Sequence, residues 1–188
     1  MNGRKRIKSE LLKRKISAII RTDDQKVAEQ AMLAAVVGGF RVVEFTLTTP
    51  GALNLIRQFR ENEDLIVGAG TVMSPTNVQE AVEAGAQFLV SPICNEEVIR
   101  ESGRLDTVSI PGTYTATEME TAHQAGADLV KLFPAPENVA EYIRFILGPQ
   151  PYLNIFPTSG VHLDNMLDVL RAGAAGAGFV RPLFDPET

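Results

Sequence analysis

Eight short apolar runs alternating with amphipathic segments predict an α/β protein built on a parallel sheet, and their number favours a (β/α)8 TIM barrel over an open sheet. A repeat supports this. Val37-Gly-Gly39, Ala84-Gly-Ala86, Ala125-Gly-Ala127 and Ala172-Gly-Ala174 each close a helical pattern and open an apolar run. Glycine suits a helix C-terminus because it takes the left-handed conformation without a Cβ clash. Gly39, Gly85, Gly126 and Gly173 are separated by 46, 41 and 47 residues, each about two βα units. No Gly-x-Gly-x-x-Gly follows the first strand, so a dinucleotide fold has little support.

The chain opens on a basic stretch. Residues 1–15 hold Arg4, Lys5, Arg6, Lys8, Lys13, Arg14 and Lys15 against Glu10 alone, in a chain of net charge −5. This stretch lacks the apolar core of a signal peptide and reads as a solvated N-terminal helix or arm. Strands follow at 17–21, 42–46, 65–68, 88–91, 107–110, 129–132, 154–157 and 176–180. Helices fill the gaps at 23–37, 51–60, 75–84, 95–102, 115–125, 138–147 and 163–172. Thr115 and Glu118 form a capping box for the fifth of these. After the last strand, Asp185-Pro-Glu187 starts a helix that has no room to continue, so all or most of the eighth helix is expected to be absent. The flank it leaves should be covered by the N-terminal helix or by a neighbouring subunit. Residues 1–188 read as one domain, with no linker or low-complexity tract.

Composition excludes several functions. A chain of 188 residues with 45% hydrophobic content buries one sizeable core. The net negative charge argues against nucleic acid, and no stretch approaches the ~20 apolar residues of a membrane span. The lone Cys94 rules out an internal disulfide and fits a reducing cytoplasm.

The chemistry lies in two charges inside apolar runs. Lys131 stands five residues after Gly126, and Glu44 five residues after Gly39. In the predicted barrel they end strands six and two. Both strands are even-numbered, so the two side chains share one interior layer at the active end. Val90 and Gly178 hold the equivalent positions on strands four and eight. A desolvated lysine becomes a usable amine nucleophile, and a carboxylate beside it can shuttle protons. As a buried ion pair the two would add little net stability, so chemistry is the better reason for them. Other strand ends are rich in small polar groups: Arg21, Thr46, Thr48, Gly68-Ala-Gly-Thr71, Ser91-Pro92, Pro111-Gly-Thr113, Phe133-Pro134 and Pro157-Thr-Ser-Gly160. His123 and His162 stand apart, without metal-ligand spacing, and Ser91 and Ser159 lack a base. Metal-free amine catalysis is the reading from the residues.

Val42-Val-Glu-Phe-Thr-Leu47, Val67-Gly-Ala-Gly-Thr-Val72, Ala86-Gln-Phe-Leu-Val-Ser-Pro92, Ile110-Pro-Gly-Thr113, Val130-Lys-Leu-Phe-Pro-Ala135 and Phe156-Pro-Thr-Ser-Gly-Val161 together resemble the 2-keto-3-deoxy-6-phosphogluconate / 4-hydroxy-2-oxoglutarate aldolase family over about residues 15–184. The resemblance implies a class I aldolase, usually a homotrimer, that needs no metal or other cofactor. Such an enzyme cleaves a 4-hydroxy-2-keto acid to pyruvate and an aldehyde. It would make Lys131 the Schiff-base lysine and Glu44 the general acid/base. Thr71 would contact the pyruvyl carboxylate, and Pro92 and Phe133 would line the keto-acid pocket. Arg21 with Thr158, Ser159 and Gly160 would hold the distal phosphate or carboxylate.

The chain departs from the family at three places. Thr48 stands where many members have arginine, and Ser159 replaces a glycine. The glycine-rich turn after strand eight reads Gly178-Phe-Val-Arg-Pro182, where Arg181 is expected either to supply the charge that backbone N–H groups would give, as a substrate-binding residue, or to point outward. Two alternatives follow. Another phosphate-binding barrel would not need Lys131. A catalytically impaired barrel kept as a binding or assembly subunit should have lost this charge pair early.

Overall fold

The computed structural model describes residues 3–180 and 184. Along them run α1 (Gly3–Arg14), β1 (Ile16–Ile20), α2 (Gln25–Val37), β2 (Val42–Thr46), α3 (Ala52–Arg60), β3 (Ile66–Gly70), α4 (Pro75–Glu83), β4 (Phe88–Val90) and α5 (Glu96–Arg104). Then come β5 (Val108–Ile110), β6 (Gly112–Thr113), α6 (Ala116–Gln124), β7 (Val130–Leu132), α7 (Val139–Leu147), β8 (Ile155–Pro157), α8 (Leu163–Arg171) and β9 (Ala177–Phe179).

The result is an α/β fold with a curled, all-parallel sheet. Six strands pair in the order β5-β4-β3-β2-β1-β9, and three more in the order β6-β7-β8. A parallel bridge from Thr158 to Gly178 joins the end of β8 to β9. β5 and β6 are one stretch of chain interrupted at Pro111, whose nitrogen has no proton for a ladder bond. Side chains alternate as a pleat requires. Val43 and Phe45 pack under the helices, while Val42 points into the interior with Ile66, Phe88 and Val108. Gly39, Gly85, Gly126 and Gly173 all have positive φ, and Thr115 and Glu118 make the expected capping box.

The N-terminal segment corrects one expectation. α1 is the expected N-terminal helix, but it docks on the sheet instead of standing free in solvent or covering the flank after the last strand. It buries Ile7 and Leu11 in the interior cluster, against Val42, Phe88 and Leu129, and so closes the N-terminal end of the curled sheet. Burying two such side chains is worth ~1.5–3 kcal/mol each. Its basic residues fix the docking. Arg4 Nε lies 2.8 Å from Asp128, and Lys8 Nζ lies 3.9 Å from the same carboxylate. The helix start at Asp185-Pro-Glu187 lies outside the described residues, although Phe184 packs against the helices' inner face.

β3 runs two residues beyond its expected end, through Gly68-Ala-Gly70. Glycine normally weakens a strand, so the sequence pattern ends early there. The structure supplies the reason: both glycines point inward under larger neighbours. A Cβ on Gly68 would overlap the Phe88 ring, and one on Gly70 would overlap the Glu44 carboxylate. Gly70→Ala should therefore force Glu44 aside and cost ~1–3 kcal/mol of overpacking. The thermal midpoint should fall by ~2–4 °C per kcal/mol. A variant that melts like the wild type, with Glu44 unmoved in its crystal structure, would contradict this.

Candidate active site

Lys131 on β7 is 6% exposed and Glu44 on β2 is 2% exposed. Both face the interior, bordering one enclosed space with Val90, Ile110 and Phe156. The lysine Nζ stands 4.6 Å from the centre of the Phe133 ring. No direct ion pair within 4.0 Å joins Lys131 to Glu44. Burial dominates both titrations. It holds the Lys131 amine below its ordinary value, with Glu44 opposing the shift and Arg21 adding to it. It holds the Glu44 carboxyl above its ordinary value, with Lys131 and then Arg21 opposing. Each shift favours the neutral form, which a nucleophilic amine and a proton-donating acid require.

Above this layer stand Arg21, at the end of β1, and Thr71, just past β3. The Arg21 guanidinium donates to Thr71 Oγ1 at 3.3 Å, reaching over the end of β2. Thr71 has φ +59°, a left-handed conformation that costs a β-branched residue energy and tends to persist at functional sites. Between them, Thr46 Oγ1 lies 3.1 Å from the Thr48 hydroxyl and 3.2 Å from the Thr49 hydroxyl. Thr48 itself is exposed. The structure thus brings Arg21 to Thr71, the residue expected at the keto-acid carboxylate.

Pro92 and Phe133 both line an open cavity of about 340 Å³, shared with Ile93, Gly112 and Tyr114. Thr158 is buried and turns inward beside Glu44 and Lys131. Ser159 has φ +62°, the conformation a glycine would take without strain, and Gly160 follows at φ +87°. On β9, Phe179 packs outward against Phe40, with ring centres 6.4 Å apart, so its bulk does not enter the site. Arg181 lies outside the described residues.

The other candidates stay apart. Burial raises the Cys94 thiol, His123 lies against the Tyr152 ring, and no cluster of His, Cys, Asp or Glu able to hold a metal occurs among the described residues. Two interior roles escape the sequence reading. Gly70 gives the Glu44 carboxylate its space, and Ser17 puts a hydroxyl beneath the pair. The parity of β1 holds the signal for Ser17, since residues 17, 19 and 21 share one face.

The chain matches the family model for KDPG and KHG aldolase over residues 7–180. It is 36% identical over 139 residues to a 2-dehydro-3-deoxy-phosphogluconate aldolase of Pseudomonas aeruginosa; the match covers 73% of this chain and 63% of the relative, less than two thirds of its length. It is 33% identical over 172 residues to a 2-dehydro-3-deoxy-6-phosphogalactonate aldolase of Escherichia coli, covering 89% of this chain and 83% of that one. A solved KDPG aldolase from Legionella pneumophila, with pyruvate captured as a covalent carbinolamine, superposes with a TM-score of 0.80 at 27% identity, covering 92% of this chain and 84% of that one. With Lys131 and Glu44 in one desolvated layer and this likeness spanning nearly all of the described residues, the chain belongs to the KDPG and KHG aldolase family.

Proposed function

We infer that this protein is a metal-independent class I aldolase that cleaves a 4-hydroxy-2-keto acid to pyruvate and an aldehyde. The observation that carries the reading is a buried amine held below its ordinary pKa beside a buried carboxyl held above its own. The neutral Lys131 amine attacks the C2 carbonyl to give a carbinolamine, the type of adduct seen with pyruvate in the Legionella relative. Glu44 gives its proton to the carbinolamine hydroxyl, which leaves as water and forms the iminium. The Glu44 carboxylate then takes the C4 hydroxyl proton as the C3–C4 bond breaks. Its electron pair moves into the enamine and the aldehyde departs. Reprotonation at C3 and hydrolysis release pyruvate and the free amine.

Two further features belong to this proposal. The curled sheet forms a (β/α)8 barrel closed through the bridge between Thr158 and Gly178. The chain acts as a cytoplasmic homotrimer, to which α8 offers apolar surface in Leu163 (84% exposed) and Leu167 (63% exposed).

Pyruvate with borohydride should add one reduced pyruvyl group at Lys131. Glu44→Gln should keep that labelling while turnover falls by ~10²–10⁴-fold, the usual worth of acid–base help. Label on another lysine, or none on folded protein, would refute the mechanism. Near-normal turnover in Glu44→Gln would move the proton shuttle elsewhere.

Arg21 is assigned to the keto-acid carboxylate together with Thr71, on the strength of their contact, rather than to the distal anion. Pyruvate has no distal half, so it separates the two roles. A charged hydrogen bond is worth ~1.5–3 kcal/mol, so Arg21→Ala should raise the pyruvate concentration that half-saturates trapping by ~10-fold or more. Unchanged pyruvate trapping with a raised KM only for the phosphorylated substrate would return Arg21 to the distal end. With Arg21 engaged at Thr71, a carboxylate-ended substrate such as 4-hydroxy-2-oxoglutarate should compete with 2-keto-3-deoxy-6-phosphogluconate in kcat/KM.

A further inference from the structure

Beneath Lys131 and Glu44 lies a small, largely enclosed cavity of about 10 Å³, the room that one water molecule takes. Its floor is Leu11 of α1, and Phe88 forms part of its wall. Four polar groups face it: Glu44 from β2, Lys131 from β7, Ser17 from β1 and Thr158 from the end of β8. Ser17 and Thr158 are each only 2% exposed, and neither hydroxyl hydrogen-bonds to another described residue. Both lie over one spot. A Cβ on Gly178 would meet Thr158 Oγ1 at 3.0 Å and Ser17 Oγ at 3.4 Å. Gly178 pairs with Ser17 on one side and bridges Thr158 on the other; its missing side chain lets the Ile19 Cδ1 methyl approach, at 2.6 Å from where a Cβ would stand, and brings the two hydroxyls to one spot beside it.

A buried hydroxyl without a partner costs free energy, and a buried water normally makes two to four hydrogen bonds. This cavity offers that number of partners in an otherwise apolar chamber. We propose that Ser17 and Thr158 hold one water molecule in this cavity against the Glu44 carboxylate, which makes Ser17 a positioning residue for the proton transfers of Glu44. The proposal rests on the aldolase reading. The two hydroxyls accept or donate as the water requires, leaving one of its protons for the carboxylate. Such a bond stabilises the ionised form and so keeps more of Glu44 deprotonated, ready to take a proton, at a given pH. The charged groups that face Glu44 are Lys131 and Arg21, and neither is altered by a change at Ser17.

The test compares Ser17→Val with Ser17→Thr, which have nearly the same volume and differ by a hydroxyl in place of a methyl. Any packing disturbance is common to both. The readout is exchange of the pyruvate methyl protons in heavy water as a function of pH, with borohydride trapping at Lys131 measured alongside. Ser17→Thr should keep its acid limb nearer to wild type than Ser17→Val does, because both add the methyl and only threonine keeps the hydroxyl. In Ser17→Val the acid limb should move to higher pH, lowering exchange there by about 3- to 10-fold, the range that one hydrogen bond supports. Trapping carried to completion should still place one label on Lys131, because the nucleophile is the amine and Glu44 governs only how fast the carbinolamine loses water. Superimposable profiles for all three proteins would overturn the proposal, as would equal shifts in Ser17→Thr and Ser17→Val. A high-resolution crystal structure of the wild type with this cavity dry would do the same whatever the kinetics. Absence of both trapping and exchange in the wild type would instead remove the aldolase reading, so the two failures are distinguishable.

Discussion

Desolvation of one lysine is the constraint on which the rest of this structure depends. An ammonium removed from water loses stability unless an anion replaces its hydration, and Glu44 stands near enough to compensate only in part. The interior keeps it so. Val90, Ile110 and Phe156 surround the amine, and α1 seals the far end of the curled sheet with Ile7 and Leu11. A first helix that lay on the outside would leave that end open to water. The basic face of α1 is the counterpart of this plug, since Arg4 and Lys8 tie it to Asp128, two residues before β7.

The same interior is arranged around missing side chains. Gly68 admits the Phe88 ring, Gly70 admits the Glu44 carboxylate, and Gly178 admits the Ile19 side chain beside Ser17 and Thr158. Each glycine sits in a strand, where its entropy and lack of packing count against it. Three such weaknesses are tolerated because bulkier groups from neighbouring strands fill the volumes. Two of the four non-glycine residues with positive φ, Thr71 and Ser159, stand at the mouth of the site; the other two are Lys15 and Asp106.

Much of this is legible without coordinates. The repeated glycines mark helix ends that do take positive φ, and the equal offsets from Gly39 and Gly126 single out Glu44 and Lys131. Strand and helix bounds follow from apolar runs because parallel strands buried on both faces leave few polar residues to blur them. The failures have physical causes. The end of β3 is obscured because strand propensity penalises the glycines that tertiary contacts require. The place of α1 is obscured because six basic residues hide two apolar ones that face inward. Ser17 does not stand out because one small hydroxyl in an apolar strand has no pattern of its own. The reach of Arg21 to Thr71 depends on a rotamer, which no spacing reveals.

Burial should keep the Lys131 amine available for chemistry, and this can be measured directly by following the lysine Nζ resonances of the folded protein through a pH titration. Lys131, assigned by its loss in Lys131→Met, should titrate well below the ~10.4 of an ordinary lysine. In Glu44→Gln it should titrate lower still, because the carboxylate opposes the shift that desolvation sets. A Lys131 that titrates at or above the ordinary value would mean that its charge is fully compensated in the resting protein, and would contradict a nucleophile made by burial.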